Sequence, residues 1–83
     1  MHESGLIQAL LRRAFAEAER RGAELVGVEV RLGVLAGGSP EHLREHFEIE
    51  LERLGLGPIG LDIHADDTHP GGVEIVGLEL RDR

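Results

Sequence analysis

Leu25-Val26-Gly27-Val28-Glu29-Val30-Arg31-Leu32 alternates apolar with polar or minimal side chains, and this stretch decides the fold. A period of two predicts a half-buried strand, with Val26, Val28, Val30 and Leu32 pointing one way and Gly27, Glu29 and Arg31 the other. On its amino-terminal side the period changes. Leu6, Ile7, Leu10, Leu11, Ala14, Phe15 and Ala18 recur at three- and four-residue steps, which predicts a helix from Ser4 to Arg21 with one apolar face. Arg20 and Arg21 complement the carbonyl end of its dipole, and Gly22 supplies a left-handed stop. On the carboxy-terminal side, Gly33 to Gly38 is a turn-rich link. Ser39-Pro40-Glu41 then offers a capping hydroxyl, a proline at the first helical position and a first-turn carboxylate. A second helix follows, with a core stripe of Leu43, Phe47, Leu51 and Leu54, with Glu45, Glu48 and Glu52 outward, ending at Gly55.

Further on, Ile59, Leu61 and Ile63 alternate with Gly60, Asp62 and His64 as a second strand, and Val73 to Leu80 reads as a third. Between them Asp66 to Gly72 contains Asp-Asp, Pro and Gly-Gly, the composition of a loop. The order is α-β-α-β-β, an α/β chain of the α+β type. Strand-helix-strand predicts a right-handed parallel crossover, and the short loop before the third strand predicts an antiparallel hairpin. The expectation is one domain over residues 1–83: a mixed three-stranded sheet with both helices packed on one face. Glu29, Arg31, Asp62 and His64 then lie on the other face.

Composition narrows the function. The 83 residues include no cysteine, which removes disulfides and thiolate metal sites. Phe15 and Phe47 are the only aromatic rings besides histidine, too few for stacking on bases. Nine basic against 16 acidic residues give a formal charge of −7, opposing nucleic acid and anionic membranes and favouring a protein or cation as partner. Every basic residue is Arg, so Schiff-base lysines and phosphate-loop lysines are excluded. The start carries no basic n-region and no long apolar run, which predicts a cytoplasmic protein without a membrane span.

Three places hold donor groups. At the start, His2 sets an imidazole one peptide away from a free amine on Met1, and both are nitrogen donors near neutral pH. With intervening amide nitrogens they form a square-planar set suited to Ni(II) or Cu(II). On the second helix, His42-Leu43-Arg44-Glu45-His46 matches the inverted zinc-protease pattern, but such enzymes need a further ligand and a cleft. Around the predicted hairpin, His64, Asp66, Asp67 and His69 can bind a divalent ion, and Asp and Pro are also what turns use. Hydroxyls are confined to Ser4, Ser39 and Thr68, with cap roles open to the two serines, so no nucleophile stands out and the chain is expected not to be an enzyme. Glu41, Glu45, Glu48, Glu50 and Glu52 read as a solvated helix face or an acidic docking surface.

Taken in order, Met1-His2-Glu3, Leu10-Leu11 within a helix, Val28-Glu29-Val30-Arg31-Leu32-Gly33, Leu35 before a small-residue turn, Pro40-Glu41-x-Leu43, Phe47 and Leu78-Glu79-Leu80 resemble the HypA family. These are nickel-incorporation accessory proteins of nickel-iron hydrogenase and urease maturation, and the resemblance runs through nearly the whole chain. It implies a metallochaperone binding Ni(II) through the Met1 amine and His2, assisted by Glu3. It also implies delivery with a maturation GTPase of the HypB type to hydrogenase or urease components. Family members carry a zinc domain with two Cys-x-x-Cys pairs between their last two strands, where this chain has only residues 66–72. Structural zinc is therefore not expected. The family turn often carries acidic residues where this chain has Val34 and Ser39, so that turn offers the nickel site no carboxylate. The alternative left open is a HypA-like interaction or regulatory module without metal delivery, and an edge formed by Val73 and Ile75 leaves a homodimer open as well.

Overall fold

The computed structural model describes residues 3–33 and 39–83, with side chains from Gly5 onward. Its elements are α1 (Glu3–Arg20), β1 (Ala23–Leu32), α2 (Pro40–Arg53), β2 (Gly60–Ala65) and β3 (Val73–Asp82), in the predicted α-β-α-β-β order. Met1, His2 and the turn residues Val34 and Leu35 lie outside the described residues, as does the side chain of Glu3. α1 opens at Glu3, so Ser4 belongs to its first turn rather than preceding it as a cap.

Helix ends follow local chemistry. Ser39 Oγ accepts the His42 N–H at 3.2 Å with Pro40 at the first helical position, so one of the orphan donors of α2 is satisfied. At its other end Gly55 takes φ +70°, which lets Gly55 N–H reach Glu52 O at 3.1 Å and Leu56 N–H reach Leu51 O at 2.9 Å. This is a Schellman stop, and Gly22 ends α1 with φ +63° in the same left-handed region. The stop at Gly55 corrects one core assignment. Leu54 is the capping residue and is exposed, while Leu56 turns back to pack against the core.

The sheet order is β2-β1-β3. β1 pairs parallel with β2, as the crossover predicts, and antiparallel with β3. The expected hairpin between the second and third strands does not form, because β3 pairs with the far side of β1. Loop 66–72 is tied at both ends to the end of β1, by Asp66 N–H to Leu32 O at 2.9 Å and Gly33 N–H to Gly72 O at 2.8 Å. Stepping across one strand requires about 10 Å, well within the reach of this loop. The apolar β1 thereby gains a partner on each side, so neither row of its backbone groups stays unpaired.

Two bulges correct the strand facing. On β1 the register passes from Leu25↔Leu80 to Gly27↔Glu79, which makes Val26 an extra residue; on β3 it passes from Gly77 to Ile75, which makes Val76 extra. Each bulge reverses the alternation. Ala23 and Leu25 therefore share the core face with Val28, Val30 and Leu32, and Val26 is only half-buried.

The core fills the space between that face and the helices. α1 contributes Ile7, Leu10, Leu11, Ala14 and Ala18, α2 contributes Leu43, Phe47 and Leu51, and β2 contributes Leu61. Ile7 and Phe47 are almost fully enclosed, each contributing about 1.5–3 kcal/mol through burial. Arg44 Nη1 donates to Leu61 O at 2.7 Å and fastens α2 to β2. Glu50 is not part of a solvated face: it is 4% exposed, whereas its neighbour Ile49 is 52% exposed. Positions 43, 47 and 50 recur at helical spacing, which places Glu50 at the seam with α1. There Gln8 Nε2 donates to it at 3.2 Å, and Arg53 binds both carboxylate oxygens at 3.0 and 2.7 Å. The Arg53 hydrogen bond, helped by Gln8 and opposed by desolvation, holds its carboxyl below the usual range. No helix among the described residues is long and apolar enough to cross a membrane.

Candidate metal-binding site

The face of the sheet away from the helices is a small grid of polar positions. Parallel register sets Gly60 beside Gly27, Asp62 beside Glu29 and His64 beside Arg31. Antiparallel register sets Glu79, Gly77 and Glu74 against the same three β1 residues. Three of the nine positions are glycine, so part of this face is bare backbone. Glu29, Asp62 and Glu79 border a groove of about 360 Å³ floored by Gly27 and Gly60.

Glu29, Asp62 and His64 converge at one edge of that clearing. His64 Nε2 lies 2.6 Å from Glu29 Oε2 and 3.7 Å from Asp62 Oδ2. One ligand atom from each residue falls within 4.8 Å of the other two. The side chains are 53%, 44% and 75% exposed for His64, Glu29 and Asp62, so the cluster opens to solvent. Its electrostatics are set by which neighbours stay away. Arg31 shares the face but turns toward Glu74 at 3.3 Å and Asp66 at 3.7 Å. Glycine makes room for the cluster, since a β-carbon at Gly77 would stand 2.7 Å from Glu29 Oε1. Chemically the arrangement offers one imidazole nitrogen and two carboxylates to a single point.

Of the donors singled out from sequence, His64 enters this group, whereas Asp66, Asp67 and His69 do not. Asp66 Oδ1 accepts Thr68 N–H at 3.0 Å and the Thr68 hydroxyl at 2.6 Å, an Asx turn. Those Thr68 hydrogen bonds, side chain first and then backbone, hold its carboxyl below the ordinary 3.8. His69 donates its backbone N–H to Asp66 O at 3.1 Å, and its ring stands over Gly71 and Gly33. Asp67 is exposed. On α2, His42 and His46 meet edge to face with ring centroids 4.4 Å apart, and with Glu45 they form no three-donor group among the described residues. The terminal set of Met1, His2 and Glu3 lies outside the described side chains. Glu29 carried no site role in the sequence. The signal available was the shared face of Glu29, Asp62 and His64, but the parallel register that brings them together is a tertiary fact.

No protein-family model matches the chain, and no curated protein matches it by sequence. Among solved structures it is similar to the solution structure of the Ni metallochaperone HypA from Helicobacter pylori, with a TM-score of 0.80 and 15% identity, covering all of both chains. At that identity the likeness is one of fold.

Proposed function

We propose that this protein is a cytoplasmic nickel-binding accessory protein rather than an enzyme. In this reading it carries Ni(II) as cargo for the maturation of a nickel-iron hydrogenase or urease, and a GTPase of the HypB type is its partner in delivery. The supporting observation is the 0.80 TM-score to a Ni metallochaperone over the whole chain. Met1-His2-Glu3 supports it independently, because an α-amine and an imidazole at adjacent residues make a nitrogen-rich chelate suited to Ni(II). Loop 66–72 offers carboxylates and one imidazole but no thiolate, so it does not fit the four-cysteine zinc of the family.

The test is calorimetric titration of Ni(II) into the wild type, the His2→Ala variant and a protein extended at its amino terminus. Loss of the tight, near-stoichiometric component in the latter two supports the reading, whatever weaker binding remains elsewhere on the chain. Full affinity in the extended protein contradicts it, because a blocked amine cannot coordinate. Capture of a HypB-type GTPase without nickel, by a protein that binds no nickel, would favour the interaction module instead.

A further inference from the structure

We infer that Glu29, Asp62 and His64 form a separate, solvent-open site for a borderline divalent cation of the Ni(II) or Zn(II) type. It lies on the sheet face opposite the helices. The site is built from β1 and β2 alone and uses no residue of Met1-His2-Glu3.

Geometry is the first argument. Donors sharing an ion at about 2.0–2.2 Å lie about 3–3.5 Å from one another. The pairs measured from His64 Nε2, 2.6 Å to Glu29 and 3.7 Å to Asp62, bracket that spacing. Small rotations of exposed side chains bring all three to it. On binding, the cation would replace the direct contact between His64 and Glu29.

Charge is the second argument. An ion pair with His64 needs one carboxylate, and Glu29 supplies it. Asp62, beyond hydrogen-bond reach of His64 at 3.7 Å, adds a second carboxylate to the cluster. A divalent ion neutralises both. Arg31, the cation best placed to do so, is directed to Glu74 and Asp66 instead. The chain's net charge of −7 further raises the local concentration of cations.

Donor type selects the ion. A mixed imidazole and carboxylate set suits Ni(II) and Zn(II), whereas Ca(II) takes six to eight oxygens and Mg(II) holds its waters. Three protein donors leave positions for water, so the ion exchanges readily. Gly77, Gly60 and Gly27 keep the approach clear, and a side chain at Gly77 would displace the Glu29 carboxylate.

The experiment uses ¹⁵N-labelled protein carrying His2→Ala, so that the terminal imidazole is gone. Ni(II) is expected to broaden the amide signals of Glu29, Asp62 and His64 before those of loop 66–72, and Zn(II) to shift the same signals. Adding His64→Ala is expected to lower either affinity at least about tenfold, and Asp62→Asn to lower it less. Both positions are exposed, so the fold tolerates the changes. Broadening that first appears elsewhere, or affinity unchanged by His64→Ala, overturns the site. Nickel binding retained in His2→Ala but lost on adding His64→Ala supports this site while removing the terminal one.

Discussion

Gly77 stands opposite Glu29 in the β1–β3 ladder, where a β-carbon on Gly77 would come within 2.7 Å of Glu29 Oε1 and 3.6 Å of Glu29 Cβ. The close atom is the far end of a flexible, half-exposed side chain, so it can swing away. Gly77→Ala should therefore move the carboxylate without unfolding the protein. The lost glycine freedom adds about 0.4–1 kcal/mol in favour of the fold, which offsets much of the crowding. We expect a thermal midpoint within about 5 °C of wild type and a clear loss of Ni(II) or Zn(II) affinity at the open face. Unchanged affinity would show that Glu29 is not a donor.

Gly33 presents the opposite case. A β-carbon there would run into the Gly71 carbonyl oxygen and stand 2.6 Å from His69 O. These are backbone atoms held by the Gly33 N–H to Gly72 O bond, so they cannot give way singly. Gly33→Ala should cost about 1–3 kcal/mol or more, lowering the midpoint by about 4–8 °C per kcal/mol. Gly72→Ala is the control, since its β-carbon meets nothing within 4 Å. Equal midpoints for the two variants, followed by circular dichroism, would refute the close approach of the loop to β1.

Acid should unfold the protein through its helical carboxylates. Hydrogen bonds from Arg20 and then Arg21 hold Glu17 down from an ordinary 4.5 to about 2, and Arg53 holds Glu50 down as well. A folded-state value below the unfolded one means stabilisation that is complete above about pH 4.5 and lost as the pH falls toward 2. The midpoint should stay level from pH 7 to about 5, then decline. In a Glu17→Gln, Glu50→Gln double variant the midpoint at pH 7 should be lower and the decline shallower. An identical decline in both proteins would assign it to other groups.

Elements were legible from sequence where local chemistry alone decides them. Ser39, Pro40, Gly22 and Gly55 mark helix ends through caps and left-handed turns that need no distant partner. The parallel crossover was legible too, because a helix between two strands leaves little else. What escaped depends on neighbours far along the chain. Loop 66–72 is short enough for a hairpin, and only the unmet pairing of β1 draws β3 to its far side. Glu50 has the composition of surface but the spacing of core, and the Gln8 and Arg53 partners that make its burial tolerable lie on α1 and one turn onward. In the cluster, His64 was visible as a donor, whereas Glu29 became one only through its register with Asp62.

The bulge at Val26 makes a claim that strict alternation would reverse. Counting by twos from Val28 puts Val26 in the core and Leu25 in solvent. The inserted residue instead turns Leu25 inward at 6% exposure and leaves Val26 half-buried. Leu25→Ala should then remove a core side chain at a cost of about 2–5 kcal/mol, a large part of the about 5–15 kcal/mol that holds a domain together. Val26→Ala removes less apolar volume from a site already open to water, and should cost about 1 kcal/mol or less. Urea unfolding of the two variants separates the cases, because the midpoint should fall far more for Leu25→Ala at similar slopes. If Val26→Ala proved the more damaging, β1 would carry no bulge. Glu24 and Leu25 would then exchange faces, and the contact of Arg81 with Glu24 at 2.9 Å could not form on the open side.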